Sequence, residues 1–239
     1  MIRADEVVGT IQAALEREPR VNVHAHPIEV TFADGIVTVS GEVGGIAAKK
    51  LALEIAASPA PVTGIVDRLR VEPSERMEDG AIRDRVCNAF LSEPAFEEYT
   101  VRAVVKQEIE RVRQAEGQYC LEIEVSGGVV VLNGTVPSLS HRRLAGVLAW
   151  WVPGSRDVVN GVEISPAMED NDDEIADVLR LVLEKDPMVN ASQIRVLCRN
   201  FVVTLNGAVS TLNSRMAAEA DAWYLLGVNS VNNNLAITG

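Results

Sequence analysis

Four groups of residues in this sequence have types and spacings that could do chemistry. His24 and His26 alternate, so on a strand both imidazoles share a face. Two ligands make an incomplete metal site with no third nearby in sequence, and an ordinary strand or turn pair is the alternative. The run Glu169-Asp170-Asn171-Asp172-Asp173-Glu174 could gather a cation, but it lacks the central glycine and closing glutamate of an EF-hand loop. Acids there also suit the start of a following helix, with Asp172 or Asp173 as its cap. Gly41-Glu42-Val43-Gly44-Gly45 lies between strand and helix, where phosphate loops live, without the spacing of a dinucleotide or P-loop motif. Trp150-Trp151 and Trp223-Tyr224 are aromatic pairs at equivalent helix ends. Rings so placed could enter a bilayer interface or a partner's groove, or else pack under a sheet or against a neighbouring module. These four aromatics are the candidate binding residues. No G-x-S-x-G, H-E-x-x-H or Cys–His pairing occurs in a suitable context. No catalytic residue, metal or cofactor is therefore expected, and the chain is expected not to be an enzyme.

The elements that carry these residues come from an internal repeat. One copy reads TVSGEVGGIAAK around Gly41, a second VLNGTVPSLSHR around Gly134, and a third TLNGAVSTLNSR around Gly207. From each glycine the register runs on without a gap to a base (Lys49, Arg142, Arg215) and to alanines four apart (Ala52/Ala56, Ala145/Ala149, Ala218/Ala222). The copies close on Leu69/Val71, Val162/Ile164 and Leu235/Ile237. Upstream, Pro19, Pro94 and Pro187 each follow an acid: Glu18, Glu93 and Asp186. Before each proline runs one apolar helical stripe, Val7/Ile11/Leu15, Ile82/Val86/Phe90 and Ile175/Leu179/Leu183.

Between proline and glycine the period becomes that of a strand: Ile28/Val30/Phe32, Leu121/Ile123/Val125 and Ile194/Val196/Cys198. Turn signals follow (Asp34-Gly35, Gly127-Gly128, Asn200), then second strands over 36–40, 129–133 and 201–206. The repeated glycine is expected to end that strand, where a side chain would obstruct the turn into the next helix or a close approach to a neighbour. A helix with small alanines and a last strand in a right-handed parallel crossover complete the unit. The fold class is α+β: three tandem α-β-β-α-β modules, each a three-stranded mixed sheet with two helices on one face. Their expected bounds are 1–73, 74–166 and 167–239, joined by polar linkers over 72–80 and 165–173. Modules of this size are marginal alone, so the three are expected to pack on one another.

Module two differs, because 40 residues separate Pro94 from Gly134 against 22 and 20 in the other copies. The extra residues lie within about 97–118. Their apolar positions Val101, Val104/Val105, Ile109 and Val112 suggest a helix ended by Gly117, with Arg111 and Arg113 in its last turns. It would cover a sheet edge or an intermodule seam, or bind a partner.

The formal charge of −12 divides as −3, −4 and −5 over the three modules, and no Lys/Arg cluster exceeds two residues. Duplex nucleic acid is a poor partner for such a surface, and purely electrostatic attraction to anionic lipid is weakened likewise. The acid-bearing segment MIRADEVVGTIQAALEREP is not a secretory signal, and no stretch is apolar enough to span a bilayer. A cytoplasmic protein is expected. Cys87, Cys120 and Cys198 are widely spaced and read as free thiols.

The Gly-x-Val after the second strand, the base and alanines, and the closing block resemble the BON domains of bacterial osmotic-stress and nodulation proteins. Module three keeps the closing block as Gly227, Val228, Val231, Asn233 and Leu235. Module two keeps it as Gly154, Val158, Asn160 and Val162, with Ser155 after the glycine. Module one has Pro61 for the glycine and Asp67 for the asparagine. The resemblance implies a non-enzymatic binding protein that associates with phospholipid membrane surfaces and is linked to osmotic or envelope stress. The alternative is a cytosolic protein–protein adaptor, or a platform that senses a small ligand or cation. The partner is thus a phospholipid surface or a protein, and the oligomeric state is open.

Overall fold

The computed structural model describes residues 3–238. The chain divides into two compact units, Met1–Glu72 and Pro73–Gly239.

In the first unit, α1 (Ala4–Arg17) leads into β1 (Ile28–Ala33) and β2 (Ile36–Val43), then α2 (Ile46–Ala57) and β3 (Gly64–Val71). The sheet order is β1-β2-β3, with the hairpin antiparallel and β2–β3 parallel. This is the mixed sheet that the repeat predicts. The stripe Val7/Ile11/Leu15 is buried, as are Ala52 and Ala56, so both helices turn their small or apolar side to the core. His24 and His26 lie in the turn before β1, not on a strand, because the five residues after Val21 close on themselves through N–H bonds from Ala25 and His26 to the Asn22 carbonyl.

The second unit holds the other two copies. Helix α3 (Asp79–Ser92) is followed by β4 (Thr100–Val105), β5 (Glu108–Arg113), β6 (Cys120–Ser126), β7 (Val129–Val136), α4 (Leu139–Trp150), β8 (Asp157–Asn160) and β9 (Glu163–Ile164). Then come α5 (Asp172–Lys185), β10 (Ile194–Arg199), β11 (Val202–Val209), α6 (Leu212–Tyr224) and β12 (Ser230–Ile237). The last sheet is again β10-β11-β12, and its helix stripe Ile175/Leu179/Leu183 is buried. Modules two and three pack together as expected of neighbouring copies, through α4 against α5 and α6.

The insertion of module two corrects an expectation, because it is a β-hairpin and not a helix. β4 and β5 pair antiparallel, and β4 adds parallel to β6, giving the order β5-β4-β6-β7-β8. The β-branched Thr100, Val101, Val104 and Val105 favour a strand, and Val101 and Ala103 alternate into the core. The two-residue turn at Lys106 and Gln107 takes positive φ at both positions (51° and 68°), which matches the twist of a hairpin. The Arg113 guanidinium ties the return strand to the Tyr99 and Phe96 carbonyls. The outer strand β5 is exposed and carries Glu108, Glu110, Arg111 and Arg113, charges that discourage edge-to-edge pairing.

The repeat glycines lie inside the second strand of each hairpin, which runs on to the buried valines Val43, Val136 and Val209. All three hold φ between 124° and 136°. A Cβ at Gly134 or Gly207 would stand 2.1 or 2.0 Å from the carbonyl oxygen of Cys120 or Gln193, at the entry of the partner strand. Close approach of the neighbouring chain, and not the end of the strand, is what requires glycine.

The acid before each proline has a shared role. Glu18, Glu93 and Asp186 accept the N–H two residues on, from Arg20, Ala95 and Met188. The carboxylate thus closes the turn that proline forces on the chain leaving the helix.

Candidate functional site

The helix ends of modules two and three meet, and their aromatics meet with them. Alanines Ala145/Ala149 and Ala218/Ala222 are fully buried, which lets α4 and α6 lie close on their sheets and brings their C-terminal ends together. Trp150 stacks on Tyr224 with ring centroids 5.3 Å apart and planes 13° from parallel. Trp151 donates from Nε1 to Asp221 Oδ1 at 2.8 Å. Trp223 is wholly buried. The structure therefore unites Trp150, Trp151 and Tyr224 in one seam between the two modules, with Trp223 in the core beneath it. Trp150, Trp151 and Tyr224 are partly covered by the chain's own groups and Trp223 is fully buried, and none of the four belongs to the exposed large side chains.

Asp221 is the residue that sequence reasoning missed. It is 1% exposed, and burial pushes its carboxyl up to about 8, against the opposing Trp151 hydrogen bond. Its Oδ2 finds no donor among the described residues, and the nearby Asp186 carboxylate raises it further. A proton held on Asp221 and offered to Asp186 satisfies both groups at neutral pH. The same desolvation pushes the Tyr224 hydroxyl up to about 12. Elsewhere between the two modules, Lys185 pairs with Glu93 at 2.9 Å, and Ser140 donates to Glu174 at 2.9 Å. Buried Arg143 donates to the Leu226 carbonyl at 2.8 Å and to Asp170. The signal in the sequence was Arg143 itself, an arginine on the helix beside the repeat base, where module three has Met216.

The acidic run is a capping and clamping device. Asn171, not Asp172 or Asp173, is the N-cap of α5, because its Oδ1 accepts from Glu174 N at 3.0 Å. Asp172 instead accepts the N–H groups of Asn200 and Phe201 in the β10–β11 turn, which hold its carboxyl below the usual range. Asp79 does the same for Gly127 and Gly128 in module two. No group of three or more His, Cys, Asp or Glu able to hold a metal ion occurs among the described residues. Gly45 begins α2 as its N-cap residue, and the glycines at 41–45 follow the shared course of strand into helix.

The insertion builds one further feature, a cleft of about 560 Å³ lined by Pro94, Glu97, Glu98, Tyr99, Tyr119 and His141. Tyr99 stacks with Tyr119 at 5.6 Å and with His141 at 6.1 Å, and it meets Phe96 edge-on at 5.1 Å. Burial raises the Tyr99 hydroxyl and lowers His141, so the imidazole is neutral at pH 7. These rings pack on one another at the base of the added hairpin, where Arg113 reaches the Phe96 and Tyr99 carbonyls.

Comparison with known proteins gives the family. No curated protein matches. Two solved structures of CdsD, a structural protein of the type III secretion system of Chlamydia trachomatis, are similar at 14% identity. One, its C-terminal domain, covers 100% of both chains with a TM-score of 0.26. The other covers 98% of this chain and 92% of its own, with a TM-score of 0.25. The BON domain family matches three times, over residues 4–73, 98–166 and 171–239. With these matches spanning most of its length, the chain belongs to the BON domain family.

Proposed function

We propose that this protein acts by binding and not by catalysis, and that its second and third modules form one cytoplasmic scaffold for a protein partner. The observation that carries this reading is the use of the helix-end aromatics within the seam: Trp150 on Tyr224, Trp151 on Asp221, Trp223 in the core. Rings that anchor a protein to lipid must be free to enter the headgroup layer, and these are already engaged. The charge of −12 opposes attachment to an anionic surface. The three cysteines are all free thiols, which suits a reducing compartment.

A second reading, association with a phospholipid surface, is supported by membership of the BON family, whose domains are associated with membranes and with envelope or osmotic stress. No described helix is long and apolar enough to cross a membrane, so such an association would be peripheral. Co-sedimentation with neutral and with anionic vesicles, each with and without a divalent cation, separates the two readings. The scaffold reading expects the chain to stay in the supernatant throughout. Pelleting with either vesicle type would establish the phospholipid reading instead.

A further inference from the structure

We propose that the exposed face of α6 receives α1 from a second copy of this chain, so that copies associate head to tail. This rests on the protein-scaffold reading and names its partner. Equivalent positions on α4 and α6 are covered differently. Leu139 and Arg143 on α4 are 7% and 2% exposed, but Leu212 and Met216, their counterparts on α6, are 56% and 60% exposed. They stand one turn apart on one side of the helix, an unpartnered apolar pair. The difference is that module two is followed by another module, which covers Arg143 through Leu226 and Asp170. Within the unit Pro73–Gly239, no described element covers Leu212 and Met216 in the same way.

The seam between modules two and three shows what such a face accepts. There α5 lies against α4, with Glu174 taking a hydrogen bond from Ser140 and Lys185 pairing with Glu93. In the repeat register α1 is the counterpart of α5, and it keeps the charged ends of that contact with smaller or more polar residues between them. Glu6 stands for Glu174, Arg17 for Lys185, and Thr10 and Ala14 for Val178 and Val182. Module three supplies the complement, with Asn213 in the place of Ser140 and Asp186 in the place of Glu93. Glu6, Thr10 and Arg17 are exposed, and Ala14 is half-buried. Both halves of the contact are thus present on one chain, on different modules. An interface of that kind is heterologous: it propagates from copy to copy and does not close as a symmetric pair. The Arg17–Asp186 ion pair between copies makes the association sensitive to salt.

Sedimentation velocity on the full chain tests this over a wide concentration range. The expected result is a concentration-dependent series of oligomers in the absence of vesicles. Leu212→Glu with Met216→Glu blocks the α6 face, and Thr10→Glu with Arg17→Glu blocks the α1 face. All four positions are exposed, and an unchanged melting temperature confirms that each variant folds. Each double variant alone should associate at least about tenfold more weakly, as loss of about 1.4 kcal/mol implies. A mixture of the two variants should form a one-to-one dimer that goes no further, since one intact α6 face and one intact α1 face remain. A monomeric wild type at every concentration, unchanged association in either double variant, or no pairing in the mixture would overturn the proposal. Vesicle binding measured separately reports on the scaffold reading, so failure of one is distinguishable from failure of the other.

Discussion

Asn233 and Arg215 hold each other across the last strand and helix of module three. Asn233 Nδ2 donates to the Arg215 carbonyl at 3.0 Å, and Arg215 Nη2 donates to the Asn233 carbonyl at 3.0 Å. Asn160 and Arg142 repeat the clasp in module two at 2.7 and 3.2 Å. Module one has lost both residue types and kept the connection. Lys49 pairs with Asp67 at 2.9 Å and donates to the Leu69 carbonyl at 2.8 Å. In all three modules the strand residue also accepts the N–H two positions on, from Leu69, Val162 or Leu235.

Asn233→Ala should therefore destabilise the protein by about 1–3 kcal/mol, since it leaves partly buried backbone groups without a partner. Denaturant unfolding monitored by circular dichroism measures it. In module one, Asp67→Asn alone and Lys49→Arg alone should each destabilise. The two together should recover part of the loss, giving a coupling energy of about 0.5–3 kcal/mol in a double-mutant cycle.

The two kinds of glycine in this chain should respond in opposite ways. Gly207→Ala drives a Cβ into the Gln193 carbonyl at positive φ, and a loss of about 3 kcal/mol or more is expected. Gly9 sits on the exposed side of α1 with nothing within 4 Å of its Cβ position. Gly9→Ala should stabilise α1 by about 0.5–1 kcal/mol through backbone entropy alone. Melting temperatures of the two variants, shifted in opposite directions, check this.

Asp221 should make stability fall as pH rises. Its ordinary carboxyl value applies when unfolded, and its folded value is pushed up to about 8. The folded state therefore binds the extra proton between about pH 4 and 8, and ∂ΔG/∂pH is negative across that window. The contribution is complete below the unfolded value and lost by the time pH passes the folded one. Asp221→Asn keeps an acceptor for Trp151 and offers Asp186 a donor with no proton to lose. Its advantage over wild type should grow from pH 5 to pH 8, in unfolding experiments over that range. Equal pH dependence in wild type and variant would contradict this.

The repeat makes most of the fold legible from residue spacing alone. Helical stripes, alternating strands and the registers of three glycines lie within one module each, where local periodicity reports directly on burial. The added hairpin was not legible in the same way. Val101, Val104/Val105, Ile109 and Val112 fit both periods, and its Lys106-Gln107 turn has neither Gly nor Asn to announce it. The site was half legible. Equivalent aromatic pairs at two helix ends are visible in the sequence, but whether two such ends face a membrane or each other depends on how modules pack. That is carried by isolated residues, Arg143 against Asp170 and Lys185 against Glu93, which no spacing rule connects.

The helix-end aromatics join modules two and three into one body, with Trp150 on Tyr224 and Trp151 on Asp221 as the join. Native-state hydrogen exchange on the full chain tests it most directly. Peptides covering 79–150 and 172–224 should open with one shared free energy and respond equally to denaturant. Trp150→Ala should uncouple them, so that the 172–224 helices lose protection first. Separate opening of the two sets of helices in the wild-type chain would contradict the account.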